Sequence, residues 1–182
     1  MPWPALLVPL ALAAGDPGGA TAIERLPSLV LAVENPRRTG RRLLHLDDLI
    51  GPAARPRAGE RPRRALLLVA LDPRRAQPGG WDLAALGKLA EETREKGGEV
   101  IGIVLGTVDA PNRNDGLDPE SVPFVITRDP HGLARRRLDL VGGGRAIVVR
   151  SDGRVVGVYG PARDGAKKAK EAFLHELEEE QQ

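Results

Sequence analysis

A chain of 182 residues, 41% hydrophobic and 29% charged, is long enough to bury one core and too short for two full domains. Its 27 basic and 25 acidic residues leave a formal charge of +2, spread along the chain and not gathered into the positive stripe of a nucleic-acid binder, so no nucleic-acid partner is expected. There is no cysteine, which removes disulfides, thiolate metal sites and cysteine nucleophiles whatever the fold.

The chain opens with an apolar stretch, Ala5 to Ala14, too short to span a bilayer. Followed by small residues, it reads as a secretory h-region with a cleavage site at Ala20–Ala22 or Leu12–Ala14. No lysine or arginine precedes it, so a disordered leader is the other reading. The first reading places the protein in the periplasm or outside the cell, and the second leaves it in the cytoplasm. Residues 1–22 are set aside as this leader, and 23–180 as one domain with no transmembrane span.

Two short extended runs follow, Ser28 to Val33 and Arg42 to Leu46, around a turn rich in Asn35, Pro36 and Gly40, which predicts a hairpin. Asp47 and Asp48 are placed to cap one helical turn that ends at Gly51. Residues 52–64 carry three prolines, five arginines and no large apolar side chain, so they are expected to form a disordered, solvated insertion. Ala65 to Leu71 is an unbroken apolar run of strand length, the pattern of a central strand covered on both faces.

Between Trp81 and Lys96, Leu86, Leu89, Ala90 and Thr93 fall on one helical stripe, and Gly97 with Gly98 ends the helix. Glu99 to Gly106 is a second buried strand, so a parallel strand–helix–strand unit is expected. After a polar loop come a short strand at Phe124 to Thr127 and a helix from about Pro130 to Leu138. Ser151, Asp152 and Gly153 turn Ala146–Arg150 back onto Val155–Tyr159, the clearest hairpin in the chain. A last helix from Asp164 to about Glu179 buries Ala169, Ala172, Phe173 and Leu177. With lysines early and glutamates late, against the helix dipole, its end is expected to fray.

This order of elements resembles the thioredoxin-like redoxins, in particular exported thiol-disulfide oxidoreductases and the alkyl hydroperoxide reductase/thiol-specific antioxidant group. The likeness rests on Pro27, Leu29, Leu31, Gly40, Leu44, Leu46, Leu49 and Gly51 ahead of the central strand, on "VPFVITRDPHG" at Val122 to Gly132, and on Ile147, Val148, Val149, Arg150, Gly153, Val155 and Val156 in the late hairpin. It implies an α/β thioredoxin-like fold, a central mixed sheet flanked by helices with an N-terminal β-hairpin extension. Laying the family's C-x-x-C on this chain without a gap puts it on Ala76, Gln77, Pro78 and Gly79, with Arg75 in place of the usual preceding tryptophan. The family's cis-proline falls on Gly144.

Thiol-disulfide exchange needs a thiolate to attack sulfur, and peroxide reduction in this family needs a thiolate that becomes sulfenic acid. These residues cannot begin either reaction, so an oxidoreductase label would follow the fold and not the chemistry. The expected role is a redox-inactive binding or scaffold module for a protein or peptide partner. Arg74 and Arg75, with Arg145 on the facing loop, are the candidate anion or carboxylate site at a helix N-terminus. The rival reading is an enzyme of another kind, using Asp72 or Asp82 at the same strand end. His45, His131 and His175 lack metal-ligand spacing, and Gly142–Gly144 precedes a strand and not a helix, so no metal, nucleotide or other cofactor is expected.

Overall fold

The computed structural model describes residues 23–55, 62–72, 81–105, 117–129, 131–140, 143–162 and 164–179. The leader at 1–22, residues 56–61 of the arginine-rich insertion and positions 74–79 lie outside the described residues.

The elements run β1 (Val30–Val33), α1 (Pro36–Thr39), β2 (Leu43–His45), α2 (Leu46–Leu49), β3 (Ala65–Leu71), α3 (Leu83–Arg94), β4 (Gly98–Val104), β5 (Val125–Arg128), α4 (Leu133–Arg137), β6 (Ala146–Arg150), β7 (Val155–Tyr159) and α5 (Gly165–Glu179). One seven-stranded mixed sheet carries them in the order β2-β1-β5-β4-β3-β6-β7. β3, β4 and β5 are parallel, while β1, β2, β6 and β7 pair antiparallel with their neighbours. Every residue of β3 is buried. Its side chains alternate: Ala65, Leu67, Val69 and Leu71 enter the core under α3 and α5, and Leu66, Leu68 and Ala70 enter the core under α2 and α4. That two-sided cover is why the strand reads as a continuous apolar run.

α3 begins at Leu83, where Asp82 accepts from the Ala85 amide, two residues later than its apolar pattern implied. Trp81 precedes the helix and is buried. Asp47 and Asp48 sit inside α2 and do not cap it; they tie the turn sideways, Asp47 to the Ser28 hydroxyl and Asp48 to Arg41 at 3.4 Å. The tail of the arginine-rich insertion is built into the structure: Arg63 reaches Glu99 at 3.2 Å, and the Arg64 amide donates to the Gly97 carbonyl. His45, His131 and His175 are all exposed.

The turn between β1 and β2 holds α1, started by Pro36 and stopped by Gly40 in the left-handed region at φ 62°. The preceding residue, Asn35, is fully buried. Its amide donates to the carbonyls of Phe124 at 2.8 Å and Pro119 at 3.0 Å, and its oxygen accepts from the Ile126 amide at 3.0 Å. One side chain thereby satisfies three backbone groups at the entry to β5.

Asn35→Ala leaves those groups buried and unpaired, so it is expected to cost about 3 kcal/mol of unfolding free energy, read by urea denaturation. At the β6–β7 turn, the Asp152 carboxyl is held below the ordinary aspartate range first by the Arg150 side-chain hydrogen bond; slight burial opposes this, and the Arg154 amide and both arginine charges support it. The turn's contribution is therefore complete above about pH 4, where an unfolded aspartate titrates, and is lost as pH falls through the lower folded value. An NMR titration of the Asp152 carboxyl should give a midpoint below that of an unfolded-chain peptide.

Candidate functional site

The carboxyl ends of parallel strands are where open α/β sheets present ligand sites, because loops diverge there and leave a crevice. Here that edge is built from the ends of β3 and β4 and the loop entering β6. The Leu105 amide donates to the Leu71 carbonyl at 3.1 Å, and the Asp129 amide to Val104 at 3.2 Å. On the other side the Gly144 amide donates to Ala70 at 2.9 Å, and Ala70 donates back to the Arg145 carbonyl at 2.8 Å. Of the sequence-derived site residues, the structure thus brings Gly144 and Arg145 against the end of β3, while Arg74–Gly79 lie outside the described residues.

The glycines in this wall have specific reasons. A Cβ on Gly143 would stand 2.7 Å from the Asp72 Cβ, so the loop can approach the strand end only without a side chain. Gly144 has φ 86°, open to glycine and closed to proline. Its amide is also used by β3, a hydrogen bond that proline lacks. The position that the resemblance assigns to a proline is thus fitted to glycine in this chain.

Arg145 does not point a free charge at the crevice. Its Nη1 donates to both the backbone carbonyl and the carboxylate of Asp139, the latter at 2.5 Å. Asp139 adopts a left-handed φ of 48°, which aspartate tolerates better than most side chains. The Nε of Arg145 and the indole Nε1 of Trp81 are buried donors without acceptors among the described residues. Trp81 is buried in the same core cluster as Leu71, the last residue of β3. Neither Asp139 nor Trp81 was singled out from the sequence; the aromatic directly after Gly79–Gly80 was the available signal for the second.

The two carboxylates considered for other chemistry are occupied. Asp82 caps α3 through the Ala85 amide at 2.5 Å, and Asp72, half-buried, has partners of its own. Among the described residues no cluster of histidine, aspartate and glutamate suits a metal ion, and no helix is long and apolar enough to cross a membrane.

No protein-family model matches the chain, and no curated protein sequence matches it. Solved structures do. Thioredoxin peroxidase I of Plasmodium yoelii superposes with a TM-score of 0.61 at 15% identity, over 88% of this chain and 91% of that one. The "putative Thiol:disulfide interchange protein DsbE" of Chlorobium tepidum gives 0.59 at 18% identity, over 85% and 96%. The mitochondrial 2-Cys peroxiredoxin of Plasmodium falciparum gives 0.58 at 10% identity, over 87% and 95%. The chain has a thioredoxin-like fold, and its structural neighbours are redoxins.

Gly144→Pro, which puts a proline where the resemblance expects one, is expected to destabilise this chain by more than about 2 kcal/mol, since it removes the bond to Ala70 and cannot adopt the backbone angle. Thermal unfolding beside wild type and Gly144→Ala separates the two effects, with the alanine variant intermediate.

Proposed function

We propose that this chain is a redox-inactive thioredoxin-fold protein that retains the strand-end crevice for recognition, acting as a binding or scaffold module for a protein or peptide partner. One observation carries the reading: a thioredoxin-like fold whose 182 residues include no cysteine. Thiol-disulfide exchange and peroxide reduction in redoxins both begin at a cysteine thiolate, and these residues contain no cysteine. The crevice, in contrast, keeps features useful for binding: a tryptophan buried in the core cluster of Leu71, a loop wall of Gly143–Arg145 pressed onto the strand end, and unpaired donors on Trp81 and Arg145. Arg74 and Arg75 are the residues proposed to meet an acidic or carboxylate group of the partner, since Arg145 is turned onto Asp139.

Export is part of the proposal, supported by the apolar run Ala5–Ala14 and the small residues Ala20–Ala22. N-terminal sequencing of protein recovered from its native cell is expected to begin at Ile23, and a chain that keeps Met1 would refute export.

Insulin reduction and peroxide consumption are expected at background rates; turnover above a heat-killed control would contradict the redox-inactive reading. Ala76→Cys with Gly79→Cys is expected to form an intramolecular disulfide and to gain dithiothreitol-dependent insulin reduction. A folded double variant whose cysteines stay unpaired under oxidation would remove the old active site from this loop. For recognition, Arg74→Glu with Arg75→Glu should abolish capture of partners from the native extract, and unchanged capture would sink the crevice as the interface.

A further inference from the structure

The opposite edge of the sheet, at the amino ends of β3, β4 and β5, holds a cleft of about 780 Å³, within the size range of small-molecule sites. Its chemistry differs from that of the crevice. Arg38 Nη1 from α1 donates to the Pro123 carbonyl at 3.1 Å, and Arg94 Nη2 from the last turn of α3 donates to the same oxygen at 2.9 Å. Two guanidinium nitrogens are thereby held no more than 6.0 Å apart, the sum of those two distances. No carboxylate among the described residues pairs with either of them. Two other arginines of the cleft are matched: Arg63 with Glu99 at 3.2 Å, and Arg41 with Asp48 at 3.4 Å.

A shared carbonyl is a weak reason to gather two like charges. It accepts one hydrogen bond from each, leaving four donors on each guanidinium and their mutual repulsion in place. An oxyanion between them removes the repulsion and takes the planar donor forks bidentately. Glu95 and Glu120 also line the cleft and α3 points its negative end at it, so the paired guanidiniums, with Arg37 beside them, must outweigh these charges to hold an anion. Leu44, Leu49 and Val125 supply an apolar floor beside the arginines. That pairing of a cationic rim with an apolar floor fits a charged head on an organic body better than a bare ion.

We propose that this cleft binds a phosphate group carried on a small organic molecule, with Arg38 and Arg94 as its ligands and Leu44, Leu49 and Val125 against the body. The site is independent of the strand-end crevice, and its test leaves that reading untouched.

The probes are phenyl phosphate and inorganic phosphate, titrated at low salt into the 182-residue chain with amide NMR and calorimetry as readouts. Phenyl phosphate is expected to give saturable shifts at Gly97, Gly98 and Val125, and to bind several-fold tighter than inorganic phosphate. Arg38→Gln with Arg94→Gln is expected to weaken phenyl phosphate about tenfold or more, whereas Arg135→Gln with Arg136→Gln, exposed on α4, leaves it unchanged. The proposal is overturned by absence of saturable shifts, by shifts confined to Gly143–Arg145, or by undiminished binding in the Arg38/Arg94 variant. Equal affinity for both probes overturns it in favour of a site for the free ion. Where the glutamine pair does not fold, the wild-type shift map and the ratio of the two affinities decide by themselves.

Discussion

The burial of β3 on both faces is the constraint on which the rest of the structure depends. Seven consecutive residues lose contact with water, so helices must cover each side and strands must pair along each edge. β4 supplies one edge over all seven residues and β6 the other over five. The two cores are separated only by the pleat of this strand and its neighbours, which is why glycine at position 102 of β4 matters. A Cβ there would press within 2.5 Å of Leu71 and 2.9 Å of Ile126. Because the sheet is pinned in register from its centre, the positions of its two edges follow, and so do the places where loops can form sites.

Those edges have diverged in opposite electrostatic directions. At the carboxyl edge the cation contributed by the facing loop, Arg145, is neutralised by Asp139, and the loop itself is fitted to the strand through Gly143 and Gly144. At the amino edge two arginines converge on one neutral oxygen. A fold sets where a site can lie, and the side chains delivered there decide what it does; this chain pairs its cation at one edge and gathers two at the other.

Much of the architecture was legible because it is local. The run Ala65–Leu71, the stripe Leu86, Leu89, Ala90 and Thr93, and the turn Ser151–Gly153 each announce their structure within a few residues. What the sequence did not announce lay in side-chain partners and in elements too short to carry a period. Asn35 looks like an ordinary turn residue, yet its three hydrogen bonds reach 84 to 91 positions along the chain. Asp47 and Asp48 have the composition of a cap, but the chain enters α2 one residue earlier, so they meet Ser28 and Arg41 instead. α1 went unseen because four residues carry no helical period.

The sequence by itself determined that thiol chemistry is absent from these 182 residues, since an element that is missing cannot be supplied by folding. It also determined the central strand and the order of elements around it, because hydrophobic periodicity records burial directly. Only the tertiary structure decided which arginines are neutralised and which are not. The 22 arginines are alike in the sequence, and each one's electrostatic state depends on what the sheet register brings within a few ångströms. Arg145 meets Asp139, while Arg38 and Arg94, far apart in the chain, meet each other at Pro123.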